Sequence, residues 1–88
     1  MASRTVDVLN KRGLHARASA KFVTLAASQS AAVEVEKDGS TVCGTSIMGL
    51  MMLGAACGDR ITISAQGDGA DDAVAALAEL VEAKFGED

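Results

Sequence analysis

The 88 residues are enough for one domain and no more, and such a chain buries only about 60–65% of the surface its unfolded form exposes. With 49% apolar residues it can still build a core without staples. A formal net charge of −4, no Trp, no Tyr and only two Phe leave no basis for nonspecific nucleic-acid binding or for stacking on single strands.

Thr5-Val6-Asp7-Val8 alternates polar and apolar residues, the pattern of a half-buried strand. Lys11 to Leu14 read as a loop. A helix is expected from Ala16 to Ala27, with Ala18, Phe22, Leu25 and Ala26 on one face and Arg17, Lys21 and Ser28 elsewhere. Ala32 to Lys37 is the second strand, with Val33 and Val35 inward and Glu34 and Glu36 outward. Asp38-Gly39 is a strong hairpin signal, returning the chain through a third strand, Ser40 to Cys43. Ser46 then caps a short helix that begins at Ile47 and is stopped by Gly54. Arg60 to Ala65 alternates again, with Ile61 and Ile63 inward, and Gly67-Asp68-Gly69 is a turn. The last helix is expected from Ala70 to Phe85, with Val74, Leu77, Ala78, Val81 and Phe85 on one stripe. Asp71 and Asp72 suit its positive end and Lys84 its negative end, and Gly86 stops it. The order is β-α-β-β-α-β-α. Strands with a single apolar face predict a two-layer α+β fold, an antiparallel sheet covered on one side by three helices.

Cys43 and Cys57 lie fourteen positions apart, which is neither a CxxC nor a zinc spacing, so they read as reduced, partly buried thiols. The N-terminus lacks the apolar run of a secretory signal, and no stretch approaches the ~18 apolar residues of a membrane span. A cytoplasmic protein is the simplest expectation.

Charge is unevenly placed. Residues 1–33 carry Arg4, Lys11, Arg12, Arg17 and Lys21 against Asp7 alone, whereas residues 34–88 carry Lys37, Arg60 and Lys84 against eleven acids. The only histidine, His15, lies inside the basic part, at the N-cap of the first helix. The first N–H groups of a helix have no internal partner. Together with about half a unit of dipole charge they favour an anion. The backbone N–H groups of Ala16 and Arg17, and the Arg17 guanidinium, would hold phosphate oxygens there. A neutral imidazole is a nucleophile near physiological pH. The chain offers no second His, no Ser-His-Asp set and no paired carboxylates nearby, so neither hydrolysis nor metal binding can be assembled. What this site can do alone is accept a group and present it. The competing reading is a small anion- or metabolite-sensing regulatory module in which His15 is never modified.

GLHARASAKFV followed by GTSIMGLMMLG resembles the histidine-containing phosphocarrier (HPr) family of the bacterial phosphoenolpyruvate-dependent phosphotransferase system. The likeness covers essentially the whole chain, residues 1–88, and two separate motifs agree in spacing. It implies an open-faced sandwich with strand order 1-4-2-3, an order that apolar patterning alone does not separate from a ferredoxin-like one. It implies a stoichiometric carrier rather than an independent enzyme. His15 would take a phosphoryl group from phospho-enzyme I and pass it to an enzyme IIA, with Arg17 neutralising the phosphate. No metal or organic cofactor, and a monomer, are expected. The relay would serve sugar uptake or a regulatory branch. Many family members have Pro where this chain has Ala18, and Pro would pre-set the first helical turn.

Ser46 has two expected roles, a helix cap and, by the resemblance, a target of an HPr kinase/phosphorylase. A phosphate there adds about −1.5 to −2 charge at a helix N-terminus, which tolerates it. The helix behind Ser46 is apolar almost all round. At least two of Ile47, Leu50 and Leu53 are expected in the core, while flexible Met side chains suit a surface that meets several partners. The resemblance implies a docking patch of Ile47, Met48, Met51 and Met52 beside the cationic Arg17 and Lys21.

Overall fold

The structure, a computed structural model, describes residues 1–87. Strand β1 (Ala2–Asp7) leads into α1 (Ala16–Ala27), β2 (Ala32–Lys37), β3 (Ser40–Cys43), α2 (Ile47–Met52), β4 (Arg60–Gln66) and α3 (Ala70–Glu82), and a short 3-10 turn follows at Lys84–Gly86. The strands form one antiparallel sheet in the order β1-β4-β2-β3. This is the α+β open-faced sandwich expected from the sequence.

Side-chain parity explains why only one face is covered. Val6 pairs with Ile61 and Val35 with Ile63, and these residues point into the core with Val33 and Ala65. The opposite face carries Thr5, whose hydroxyl meets that of Thr62 at 2.9 Å, and the Glu34–Ser64 pair. Phe22 of α1, Leu50 of α2 and Leu77 and Val81 of α3 close the apolar face. Asp38 and Gly39 both take left-handed φ, +52° and +85°, as a two-residue hairpin of the type I′ kind requires. No helix among the described residues is long and apolar enough to cross a membrane.

Several boundaries differ from the sequence reading. β1 spans Ala2–Asp7 rather than Thr5–Val8 because all six residues pair with β4. Val8 leaves the ladder, but its N–H still donates to Asp59 O (2.8 Å) and its side chain is buried. On α1, Leu25 is half-buried, and Ser19 joins Ala18, Phe22 and Ala26 inside, its hydroxyl donating to Leu14 O. α2 stops at Met52, with Leu53 as its cap and Gly54 just beyond at φ +66°. Leu50 and Leu53 are buried and Ile47 is exposed, so two of the three candidate residues do reach the core.

The C-terminal end differs most. α3 ends at Glu82, with Ala83 as its cap, not at Phe85 with Gly86 as the stop. Lys84, Phe85 and Gly86 all take left-handed φ of +56° to +77°. Lys84 therefore lies outside the helix it was expected to complement. The reversal still buries Phe85, and it turns the following residue, Glu87, toward the start of α1. The two cysteines are free, as read, but exposed rather than partly buried. On β3 the inward position belongs to Val42, so its neighbour Cys43 faces out, and Cys57 lies in the loop between α2 and β4.

Candidate functional site

His15 is set by the turn that precedes it. Gly13 takes φ +65°, and a Cβ there would lie 2.3 Å from Ala55 O and 2.8 Å from Ala56 Cα, so only glycine fits. Leu14 is pinned by its N–H to Ala55 O (2.9 Å) and by its buried side chain. The chain then enters α1 with His15 in extended conformation at the N-cap, and the Ser19 N–H donates to His15 O at 2.9 Å. Despite Ala18 in the first turn, the helix begins at Ala16, and Ala18 itself is fully buried.

The two ring nitrogens of His15 face different environments. Nδ1 accepts a long hydrogen bond, 3.3 Å, from the N–H of Arg17. Nε2 lies 2.6 Å from the Glu87 carboxylate. A carboxylate can only accept, so the neutral ring carries its proton on Nε2 and keeps the Nδ1 lone pair toward the helix amides. Glu87 is held in turn by Asn10, which is fully buried and donates to Glu87 Oε1 (3.0 Å) and Gly13 O (2.8 Å). The Asn10 amide, with His15 and the Lys21 charge adding to it, holds the Glu87 carboxyl below its ordinary value against the opposing cost of partial burial.

Lys11, Arg12, Arg17 and Glu87 line a cleft at this point, three cations against one carboxylate. The guanidinium of Arg17 is exposed and makes no hydrogen bond or ion pair among the described residues. Lys21, one turn on, is engaged: its ammonium donates to Phe85 O at 2.7 Å and ties α1 to the C-terminal turn. An open, mostly apolar groove runs along α1 from Arg17 and Lys21 to Ser28, with Leu25 and Leu80 also lining it.

The second motif builds a different helix start. Ser46 Oγ accepts from the Gly49 N–H at 2.9 Å, a well-formed cap. Gly49 permits a close approach, since a Cβ there would meet Val42 Cβ and Ser46 Oγ at 3.1 Å. Ile47, Met48, Met51 and Met52 all face solvent, Met48 at 69% and Met52 at 79% exposure. These are the four residues expected to be free for docking, on a helix packed against α1.

The structure thus brings His15, the N–H groups of Ala16 and Arg17, and the Lys11–Arg12–Arg17 cations to one end of α1. Sequence reasoning missed Asn10 and Glu87. Glu87 lies 72 positions from His15 and reaches it only through the left-handed turn, so no local spacing signals the pairing.

Residues 2–83 match the family model described as the PTS HPr component phosphorylation site. The phosphocarrier protein HPr of Neisseria meningitidis is 45% identical over 87 residues, 99% of this chain and 98% of the relative. The phosphocarrier protein NPr of Shewanella violacea is 39% identical over 84 residues, 96% of this chain and 92% of the relative. The crystal structure of HPr-C-His from Thermoanaerobacter tengcongensis superimposes with a TM-score of 0.95 at 45% identity, covering 100% of this chain and 99% of the other. With sheet order, helix-capped histidine and family match in agreement along nearly its whole length, the chain belongs to the HPr family of phosphocarriers of the phosphotransferase system.

Proposed function

We propose that this chain is a one-domain, cytoplasmic, monomeric phosphocarrier that relays a phosphoryl group through a phosphohistidine at His15. Enzyme I supplies the group and an enzyme IIA-type acceptor receives it. The observation that carries the reading is the Nδ1 atom of His15, held only by a long 3.3 Å bond from the Arg17 N–H, at a helix N-terminus beside the cleft of Lys11, Arg12 and Arg17. The Nδ1 lone pair attacks the phosphorus as the donor's bond to it breaks. Transfer of this kind needs positioning and charge neutralisation more than covalent help from the protein. The exposed Arg17 guanidinium and the N–H groups of Ala16 and Arg17 supply that neutralisation. The chain carries the group without an independent catalytic cycle and without a cofactor.

Docking uses the cationic rim of Arg17 and Lys21 with the exposed apolar surface of Ile47, Met48, Met51 and Met52. Ser46 stands at the head of the helix that bears that surface. A phosphate placed there by an HPr kinase/phosphorylase would put negative charge on a face built for an acidic partner. The test is incubation with phosphoenolpyruvate and enzyme I. A carrier becomes an acid-labile, alkali-stable phosphoprotein and donates the group to an enzyme IIA. An anion-sensing module binds phosphate reversibly and gains no covalent group.

A further inference from the structure

We infer that Glu87, braced by the buried amide of Asn10, is a positioning residue for His15: it holds the Nε2 proton and offsets the positive charge the ring acquires when Nδ1 takes a phosphoryl group. The inference rests on the carrier reading of His15 given above. Nothing in the family model's span assigns this residue, since the match ends at residue 83.

Three observations converge on it. The contact is short, 2.6 Å, and both side chains are only 17% exposed, so water competes poorly for either partner. Asn10 is fully buried and turns its amide NH2 toward two acceptors, Glu87 Oε1 and Gly13 O. Its own carbonyl oxygen is left without a partner among the described residues, a desolvation cost accepted to hold this orientation. Glu87 is also delivered by an anchored turn. Lys84 and Phe85 take left-handed backbone, which side-chain-bearing residues rarely adopt. Phe85 is buried, Lys21 donates to Phe85 O, and the Glu87 N–H donates to Lys84 O at 2.8 Å.

The chemistry follows from the tautomer. As the Nδ1 lone pair bonds to phosphorus, the bond to the donor, a phosphohistidine, breaks and its electron pair stays on the donor. The Nε2 proton does not move. The His15 ring therefore becomes a phosphorylated imidazolium bearing one positive charge. Onward transfer breaks the Nδ1–P bond, returns the pair to Nδ1 and restores the neutral ring. Glu87 remains ionised throughout, orienting the ring and countering its transient charge as the buried Asp does for the His of a serine protease. The carboxylate also repels the phosphoryl oxygens. It touches the ring directly, however, while the phosphoryl group sits on the opposite ring nitrogen, so the nearer attraction dominates, and the Lys11, Arg12 and Arg17 cations that share the cleft with Glu87 temper the repulsion.

The test uses the full chain as wild type, Glu87→Gln and Glu87→Ala. One readout is ring 15N and proton NMR of the unphosphorylated protein, which needs no enzyme I. The other is kcat and KM for phosphoryl transfer from phospho-enzyme I. The glutamine oxygen still accepts from Nε2–H but lacks the charge. Glu87→Gln should keep a protected Nε2 proton and lose about tenfold in kcat with KM unchanged, the scale separating a charge-assisted from a neutral hydrogen bond. Glu87→Ala should lose the protected proton and transfer still more slowly. Wild-type kcat in both variants, or an unchanged ring-proton signal in Glu87→Ala, overturns the inference. If wild type takes up no phosphoryl group, the carrier reading fails and the transfer role with it, whereas the ring-proton contrast would still report the His15–Glu87 pair.

Discussion

Two helix starts in this molecule use the same device to opposite ends. At α2, Ser46 closes the helix with a 2.9 Å bond to Gly49 N–H. At α1, His15 caps the helix with only a 3.3 Å bond from the Arg17 N–H, beside cations rather than methionines. A tight hydroxyl cap spends the amide terminus on stability. A loose imidazole cap leaves that terminus available for an anion, with a nucleophile beside it. The comparison teaches that N-cap chemistry, not helix propensity, separates the proposed carrier end of this fold from its proposed docking end.

The comparison breaks most completely at His15. His15→Ala should abolish phosphoryl uptake from phospho-enzyme I, because the chain has no other histidine, while the melting temperature falls by no more than about 5 °C. Intact-protein mass spectrometry and a thermal melt check the two halves.

Gly13→Ala acts one step back, on the turn that delivers His15. The left-handed backbone and the clash with Ala55 O should cost about 2–4 kcal/mol of stability. Transfer should slow with it, since small misplacements of a reacting group are costly. Denaturant unfolding and transfer kinetics on the same sample would show both.

Arg17→Ala should slow transfer in both directions by roughly 100-fold, the lower end of what one lost donor to a developing anion costs. The fold should be unaffected, because the guanidinium is exposed and unpaired among the described residues. Forward and reverse rates measured with enzyme I decide it.

The smallest effects belong to the α2 end. Ser46→Asp keeps a capping oxygen, so the melting temperature should move by less than about 3 °C, yet affinity for enzyme I should drop by about tenfold. Met48→Asp should weaken binding similarly by burying a charge at the contact. Calorimetric titration of both variants against enzyme I supplies the answer; wild-type affinity in both would show that α2 is not a docking surface.

Much of this was legible in the sequence because it is local. Alternation in Ala32–Lys37 and Arg60–Ala65, the Asp38-Gly39 turn and the Ser46 cap each depend on residues a few positions apart. His15 was legible for the same reason, as a polar residue directly before an amphipathic helix. The strand order was not readable from apolar patterning, since any antiparallel order keeps the same inward residues, and it followed from the family resemblance instead. The end of α3 was misread because the stripe through Val81 and Phe85 continues smoothly. The reversal is set by tertiary demands, the burial of Phe85 and the Lys21 bond to its carbonyl. Asn10 and Glu87 escaped for a related reason, as their roles exist only once the two chain ends meet. The outward Cys43 reflects the parity of a four-residue edge strand, where one inward residue, Val42, fixes the rest.

The most direct test of the central claim is NMR of the phosphorylated protein with nitrogen-15 in the imidazole ring. The account predicts phosphorus coupled to Nδ1 of His15, with the proton retained on Nε2 toward Glu87. Phosphorus on Nε2, on another residue, or nowhere after incubation with phosphoenolpyruvate and enzyme I would contradict it.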